Sequence, residues 1–213
     1  FGRTIQQRKV VYLALEGSTG IGKRIKAWEI HNGQPADNLN LIIDSFNLKS
    51  PADVAALVEV IQQQVGAGCV VFIDTLNQAS PGSDENSSVD MGLLLAAAKA
   101  IYVALNGLVI LVHHSGKNAQ NGLRGHSSMN GAMDTVILVQ KLGMGGHVWS
   151  IDKVKDADGS VKESFDLVSC NVGTDAAGLP ETSCAVHPSG LTLFDSKPRG
   201  KHQKPVYAAL EAK

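Results

Sequence analysis

Polar side chains stand at the ends of three short apolar runs in this sequence. Glu16 follows the first run, Asp74 ends the second, and His113 and His114 follow the third. Such runs predict buried strands of a parallel sheet, and ligands of these sheets bind at the carboxyl ends of the strands. An acid at that position can hold Mg²⁺ beside nucleotide phosphates. The three strand ends therefore predict a nucleotide-hydrolysing site along one sheet edge.

The three positions predict different roles. Asp74 is the candidate metal ligand, because a buried strand that ends in an acid is the Walker B arrangement. Glu16, on a neighbouring strand, could orient the attacking water, and His114 could sense the γ-phosphate. Each residue alone is also explained as an ordinary strand end, so the prediction depends on the combination.

A glycine-rich segment directly after Glu16 nearly matches the phosphate-binding loop G-x-x-x-x-G-K-[ST]. Residues 17–23 supply the glycines and the lysine, but Arg24 stands where the Mg²⁺-binding hydroxyl belongs. Arginine cannot ligate a cation, and its charge would oppose the metal. Either this segment is the loop, or the main loop lies before Phe1. We expect the second arrangement.

Strands and helices alternate through the first two thirds of the chain. Apolar patterning predicts strands at 10–15, 39–43, 68–74, 107–112 and 135–139, and helices at 21–30, 51–64 and 91–105. Ser50 with Pro51, and Ser87 with Asp90, give the start signals of the second and third helices. This alternation predicts βαβ units and a mostly parallel sheet flanked by helices.

The pattern changes after residue 140. Strands at 148–154, 163–168 and 183–186, separated by turn-rich segments, predict antiparallel hairpins appended to the sheet. Residues 196–213 predict a basic linker and the first turns of a helix from another domain. We therefore predict an α/β core over residues 1–195 and the start of a second unit over 196–213.

Composition favours a folded cytoplasmic protein. Hydrophobic residues make up 44% of the chain and charged residues 18%, as in globular domains. The net charge of −1 means that any contact with nucleic acid must be local. An odd set of three cysteines (Cys69, Cys170 and Cys184) is typical of small buried side chains in a reducing compartment. No membrane-length apolar stretch or secretory signal is visible, so we expect no membrane contact.

Five ordered blocks resemble the RepA-like hexameric helicase ATPases, an AAA-type family of plasmid replication helicases and of phage or prophage primase-helicases. The blocks are 10–17 with Arg24, 72–76, 81–92, 112–117 and 122–128, ending at Asp134. The resemblance implies a RecA-like P-loop NTPase core that binds ATP and Mg²⁺. It further implies single-stranded DNA as a partner and a homo-oligomeric ring, expected to be a hexamer.

The resemblance also implies roles for individual residues near the nucleotide. Glu16 matches the catalytic acid, Asp74 the Walker B acid and His114 the γ-phosphate sensor. Arg24 matches a basic residue near the nucleotide or the subunit interface, and His113 is counted with the nucleotide-contacting residues. In that family the strand before the Glu-Gly block follows the Walker A helix, which places the phosphate loop upstream. This chain alone is therefore expected to hydrolyse ATP hardly at all.

A glycine-rich segment over 115–125 is expected to form a loop that faces the ring's channel and DNA. Lys117 and Arg124 would supply its positive charges. The plasmid helicase has an arginine a few residues after the motif aspartate, where it acts across the subunit interface. Here Asp134 is followed by Thr-Val-Ile without an arginine. Either another basic residue serves, or strand separation is not the function of this member.

Three functions therefore remain open from the sequence. The first is an ATP-driven ring motor or loader on DNA, and the second is a non-motor RecA-like regulator that binds nucleotide and changes conformation. The third is a metal-dependent hydrolase with Asp74, His113 and His114 as ligands. Adjacent strand residues point to opposite faces, so the two histidines would seldom bind one metal. The third function is therefore the least favoured.

Overall fold

The computed structural model describes residues 4–114, 127–142, 146–157 and 159–189, and the predicted second unit at 196–213 lies outside them. The strands are β1 (Val10–Ala14), β2 (Leu39–Ile42), β3 (Val70–Asp74), β4 (Leu108–Val112), β5 (Thr135–Lys141), β6 (His147–Val154), β7 (Lys162–Thr174) and β8 (Pro180–Pro188). The helices are α1 (Ile21–Asn32), α2 (Pro51–Gln64), α3 (Ser88–Leu105) and α4 (Ser127–Ala132).

A parallel sheet with the strand order β2-β1-β3-β4 confirms the predicted βαβ organisation. Ala14 of β1 lies opposite Asp74 of β3, and Asp74 lies opposite Val112 of β4. The carboxyl ends of these three strands therefore lie side by side. This register places all three polar strand ends at one edge of the sheet.

Helices α2 and α3 begin at the predicted caps. The Ser50 hydroxyl accepts a hydrogen bond from the Asp53 N–H at 3.2 Å, and Pro51 is the first residue of α2. The Ser87 hydroxyl accepts from the Asp90 N–H at 3.3 Å, so α3 begins at residue 88, three residues before the predicted start. Each cap satisfies an N–H that the helix leaves unpaired and typically contributes about 1 kcal/mol.

The main core lies between one face of the parallel sheet and helices α2 and α3. Its strand members are Val11, Leu13, Val71 and Ile73, and its helix members include Leu57, Ile61, Met91, Leu94, Ile101 and Leu105. Burial of a side chain of this size contributes roughly 1.5–3 kcal/mol. The strand residues alternate with Tyr12, Phe72 and Asp74 on the other face, so the core holds the polar strand ends in place.

Helix α3 has the length and apolar composition of a membrane span, which corrects the expectation that no apolar stretch reaches that length. One side of the helix, which includes Met91, Leu94 and Ile101, is buried in the main core. The apolar character of that side follows from its packing within the domain.

The other face of the parallel sheet is incompletely covered by the described residues. Tyr12 and Phe72 are partly buried there, whereas Leu41 is 39% and Leu108 54% exposed. Parallel sheets normally carry helices on both faces. Helix α1 packs instead against β7 and β8, so it does not supply this cover.

The antiparallel strands form a separate sheet with the order β5-β6-β7-β8. The strand at 135–139 was expected to continue the parallel sheet, but β5 pairs with β6 from Thr135↔Val154 to Lys141↔His147. Its alternation of exposed and buried residues is typical of an antiparallel strand with one solvent face. The apolar run Thr-Val-Ile-Leu-Val hid this alternation in the sequence.

Helix α1 attaches the antiparallel sheet to the parallel one. Ala27 is fully buried against Cys170 and Ala185 of β7 and β8. The contacts at the two ends of α1 are an ion pair of Lys23 with Glu181 at 2.5 Å and a ring-nitrogen contact of His31 with His187 at 3.2 Å. The helix thus follows directly from β1 in sequence but packs against the second sheet.

The three cysteines are free, which agrees with the absence of a disulfide framework in the sequence. Cys69 and Cys170 are buried as expected, whereas Cys184 is exposed on β8. Cys184 therefore does not act as a small core residue.

Gly107, which precedes β4, allows the backbones of β3 and β4 to approach closely. A Cβ atom at Gly107 would lie 2.2 Å from the carbonyl oxygen of Cys69, which accepts the Leu108 N–H. We therefore expect Gly107→Ala to lower the free energy of unfolding by about 1–3 kcal/mol, as measured by urea unfolding.

The matched control is Gly92→Ala in α3, where a Cβ would meet no atom within 4 Å. That variant should be roughly 0.5–1 kcal/mol more stable than the wild type, because alanine is the better helix former. Equal stability of the two variants would contradict the close approach at Gly107.

Candidate functional site

The loop after β1 is fixed on the end of β3. The N–H groups of Leu15 and Glu16 both donate to the Asp74 carbonyl oxygen, at 2.8 and 3.2 Å. Glu16 is therefore held beside Asp74, and the predicted pair of acids is brought together by backbone hydrogen bonds between neighbouring strands.

Glu16 is the centre of a small polar network. The Thr75 hydroxyl donates to Glu16 Oε2 at 3.1 Å, and His114 Nε2 lies 3.6 Å from the same oxygen. The Glu16 and His114 side chains are 46% and 67% exposed, so a ligand can reach both. The peptide bond between Asp74 and Thr75 is cis. The structure thus joins the predicted catalytic acid to the predicted γ-phosphate sensor.

Asp74 accepts a hydrogen bond from the Tyr12 hydroxyl through its Oδ2 atom. The Tyr12 ring stacks on Phe72, with ring centroids 5.6 Å apart and an interplanar angle of 25°. Burial raises the pKa of the Tyr12 phenol, and the hydrogen bond to the Asp74 carboxylate raises it further. Tyr12 therefore remains a hydrogen-bond donor at neutral pH.

Arg24 lies at the rim of the same site. Its Nη2 atom donates to the Gly17 carbonyl oxygen at 3.0 Å, directly after Glu16. Gly17 has a φ of 63°, a left-handed conformation that glycine adopts without strain, and it turns the chain from Glu16 toward α1. The guanidinium charge acts on Tyr12 against burial and lowers the pKa of the phenol in part. Arg24 is therefore near enough to Tyr12 for its charge to act on the phenol.

The near-match to a phosphate loop at 17–23 does not present its lysine to the site. Residues 18–20 form a single 3-10 turn, and α1 begins at Ile21. The Lys23 amine pairs with Glu181 of β8, on the antiparallel sheet. A lysine held in this pair would have to break it before contacting a nucleotide.

His113 was grouped with the nucleotide-contacting residues, and that role stays a prediction. It lines a small cavity beneath α3 with Leu76, Asn77, Ser80, Ser83, Glu85, Met91 and Leu94. Successive strand residues face opposite sides, and so His113 and His114 diverge. Across the described ranges, no group of three or more His, Cys, Asp or Glu side chains could hold a metal ion. The described residues therefore do not provide the set of ligands that a metal-dependent hydrolase would need.

The remaining predicted residues lie near or beyond the limits of the described chain. Lys117 and Arg124 fall within residues 115–126, outside the described residues. Asp134 precedes β5 and pairs with Lys155, the residue that follows β6, at 2.8 Å, an interaction that holds the pKa of the Asp134 carboxyl below its usual value. The Asp134 carboxylate thus forms an ion pair with a lysine of its own chain.

The oxygen atoms at this edge of the sheet are suitable ligands for Mg²⁺. The Asp74 and Glu16 carboxylates and the Thr75 hydroxyl are hard ligands of the kind that this ion prefers. Mg²⁺ is usually bound by one or two protein carboxylates together with substrate phosphates. The arrangement suits a nucleotide-bound cation better than a closed protein cage.

A family model described as an AAA domain matches residues 1–120, a range that includes Glu16, Asp74 and His114. This chain belongs to the AAA domain family. A similar solved structure is the crystal structure of the RadB recombinase, with a TM-score of 0.53, 14% identity and 76% of each chain covered. This likeness shows a RecA-like fold, and a search of curated proteins found no match. Family and fold together make the chain a RecA-type ATPase.

Tyr12 and Thr75 of this AAA domain were not predicted as site residues from the sequence. The contacts of Tyr12 with Asp74 and of Thr75 with Glu16 depend on the register between β1 and β3, which brings Tyr12 to the same face as Asp74. A polar aromatic residue at alternate spacing within the strand that leads to Glu16 was the available signal. It became informative only once the strand order was known.

Proposed function

We propose that this chain is the catalytic core of an ATP-driven ring motor that acts on DNA in replication. The observation that supports it best is the fixed pair of acids at the carboxyl edge, with His114 3.6 Å from Glu16. The AAA domain family supplies the ATPase class, and the resemblance to RepA-like helicases supports the more specific role.

The described side chains suggest how hydrolysis is organised. Asp74 would hold Mg²⁺, which, when bound, neutralises charge on the transferring phosphate. Glu16 would orient the attacking water and accept its proton, while the Thr75 hydroxyl fixes the carboxylate. His114 shares Glu16 Oε2, so it would respond to a change of charge at the γ-phosphate.

We place the main phosphate-binding loop in a further strand–helix unit upstream of Phe1. The incompletely covered face of the parallel sheet, with Leu41 and Leu108 exposed, suits packing by another helix. The engagement of Lys23 by Glu181 supports the same placement. ATP would then bind between that loop and the edge that carries Glu16 and Asp74.

The proposed DNA contact is local, in line with the net charge of −1. Lys117 and Arg124 would contact phosphates of single-stranded DNA, and copies of the chain would repeat these contacts around a ring. We propose a homo-oligomer, expected to be a hexamer, that acts in the cytoplasm without membrane contact.

Replacing Lys117 and Arg124 together by Ala in the full-length protein should weaken single-stranded DNA binding. The loss of two phosphate contacts should make the slope of log K against log salt shallower by about 1.4 per subunit. ATP turnover without DNA should stay at the wild-type rate, and its stimulation by DNA should fall. Fluorescence anisotropy over a salt series and an ATPase assay with and without DNA measure these effects.

The matched control is Lys99→Ala with Lys162→Ala, which removes two exposed cations from α3 and β7. Its salt slope and DNA affinity should equal those of the wild type. An unchanged slope in the Lys117/Arg124 variant would exclude these residues as the contact. If full-length wild-type protein hydrolyses ATP but shows no DNA effect, the non-motor regulator is the better function. Absence of ATP hydrolysis would refute the motor, and absence of nucleotide binding would refute both.

A further inference from the structure

We infer that Tyr12 is a positioning residue that orients the Asp74 carboxylate for the metal-bound nucleotide. This role rests on the proposed ATPase function and adds to it a residue of β1 that neither the sequence motifs nor the family match assigns. The direct observation is the hydrogen bond from the Tyr12 hydroxyl to Asp74 Oδ2.

The register of the parallel sheet produces this contact. Ala14 lies opposite Asp74, and Tyr12 lies opposite Phe72, so Tyr12 and Asp74 are diagonal neighbours on one face. A tyrosine side chain is long enough to span a diagonal of this kind. The hydroxyl therefore reaches the carboxylate from within the sheet and leaves the edge open.

The Tyr12 ring is itself held in place. It is partly buried and stacks on Phe72, which limits the orientations of its hydroxyl. Because the hydroxyl hydrogen-bonds to Oδ2, it limits the orientations that the carboxylate can present to a cation. Groups that hydrogen-bond to metal ligands in this way typically change metal affinity or activity 10–100-fold when removed.

The first experiment removes only the hydroxyl. Tyr12→Phe keeps the ring and its stacking on Phe72, and full-length protein should then need about 10–100-fold more Mg²⁺ for half-maximal ATP turnover. At saturating Mg²⁺ most of the maximal rate should return, because Glu16 and its partners are untouched. The control, Tyr102→Phe, removes the hydroxyl of an exposed tyrosine on α3 and should leave the Mg²⁺ dependence unchanged.

A second experiment tests the contact without nucleotide. Protein labelled with 3-fluorotyrosine, whose phenol ionises at lower pH than that of tyrosine, is titrated by ¹⁹F NMR. The Tyr12 resonance is assigned by its loss in Tyr12→Phe. Burial and Asp74 both raise the pKa of Tyr12, so its signal should titrate at higher pH than free 3-fluorotyrosine. Asp74→Asn should move the Tyr12 titration to lower pH, because the neighbouring negative charge is gone.

The outcomes separate this role from the proposed function. If Asp74→Asn leaves the Tyr12 titration unchanged, the hydrogen bond between Tyr12 and Asp74 is refuted. If Tyr12→Phe leaves the Mg²⁺ requirement unchanged, Tyr12 has only a structural role. Either result overturns the positioning role. If wild-type protein shows no Mg²⁺-dependent turnover, the ATPase proposal fails and the role fails with it, whereas a positive NMR result would still establish the hydrogen bond.

Discussion

Asp74→Ala in the full-length protein is expected to abolish Mg²⁺-dependent ATP turnover while leaving the fold intact. The carboxylate stands at the end of β3, where it accepts the Tyr12 hydroxyl and would hold the cation. A catalytic metal supplies several kcal/mol of charge stabilisation, so we expect a loss of at least about 100-fold. Steady-state turnover over a range of Mg²⁺ concentrations measures the effect.

The fold should survive because the core lies on the other face of the strand, at Ile73. The cost to stability is one hydrogen bond from Tyr12, about 1 kcal/mol. Asp74→Asn keeps an acceptor for that hydroxyl and should lose turnover equally, which separates the charge from the packing. Asp152→Ala, an exposed acid on β6, is the control with wild-type turnover. Substantial turnover in either Asp74 variant would remove Asp74 from the mechanism.

Glu16→Gln should keep nucleotide binding and lose hydrolysis. The amide retains an oxygen that can accept the Thr75 hydroxyl, but it cannot take a proton from water. General-base catalysis typically contributes about 10²–10⁴-fold, so turnover should fall by that factor. Single-turnover hydrolysis gives the chemical rate, and equilibrium binding of a fluorescent ATP analogue gives the affinity.

Retained nucleotide binding with lost hydrolysis would distinguish Glu16→Gln from the Asp74 variants, because the metal ligand remains in place. The matched control is Glu59→Gln on the exposed side of α2, which changes the same chemical group far from the site. It should bind and hydrolyse ATP like the wild type. A Glu16→Gln protein that hydrolyses at the normal rate would assign the base to another residue.

Most of the parallel core could be predicted from the sequence, because its signals are local. The buried strand before Asp74 and the caps at Ser50 and Ser87 each lie within a few residues of the feature that they specify. The placement of β5 could not be predicted in this way. A short apolar run is compatible with either sheet, and pairing with β6 was decided by contacts between distant residues.

The site was predictable to the same extent. Glu16, Asp74 and His114 end three strands, and a parallel sheet must bring such ends together. The partners that orient them were not predictable, since Tyr12 reaches Asp74 across the sheet. The separation of His113 from His114 followed from strand geometry, but the contact of His114 with Glu16 required the strand order.

The attachment of α1 gives the domain a mechanical property. The helix leaves β1 through Gly17, directly after Glu16, while Ala27 is fully buried against β7 and β8. A pull on the antiparallel sheet therefore loads the same short segment that carries the catalytic acid. A movement of the sheet away from the parallel core would require α1 to detach or Gly17 to move with it, and would also disturb α4, whose Met129 lies in the main core. Strain applied at β8 and chemistry at Glu16 are in this way linked through a helix of twelve residues.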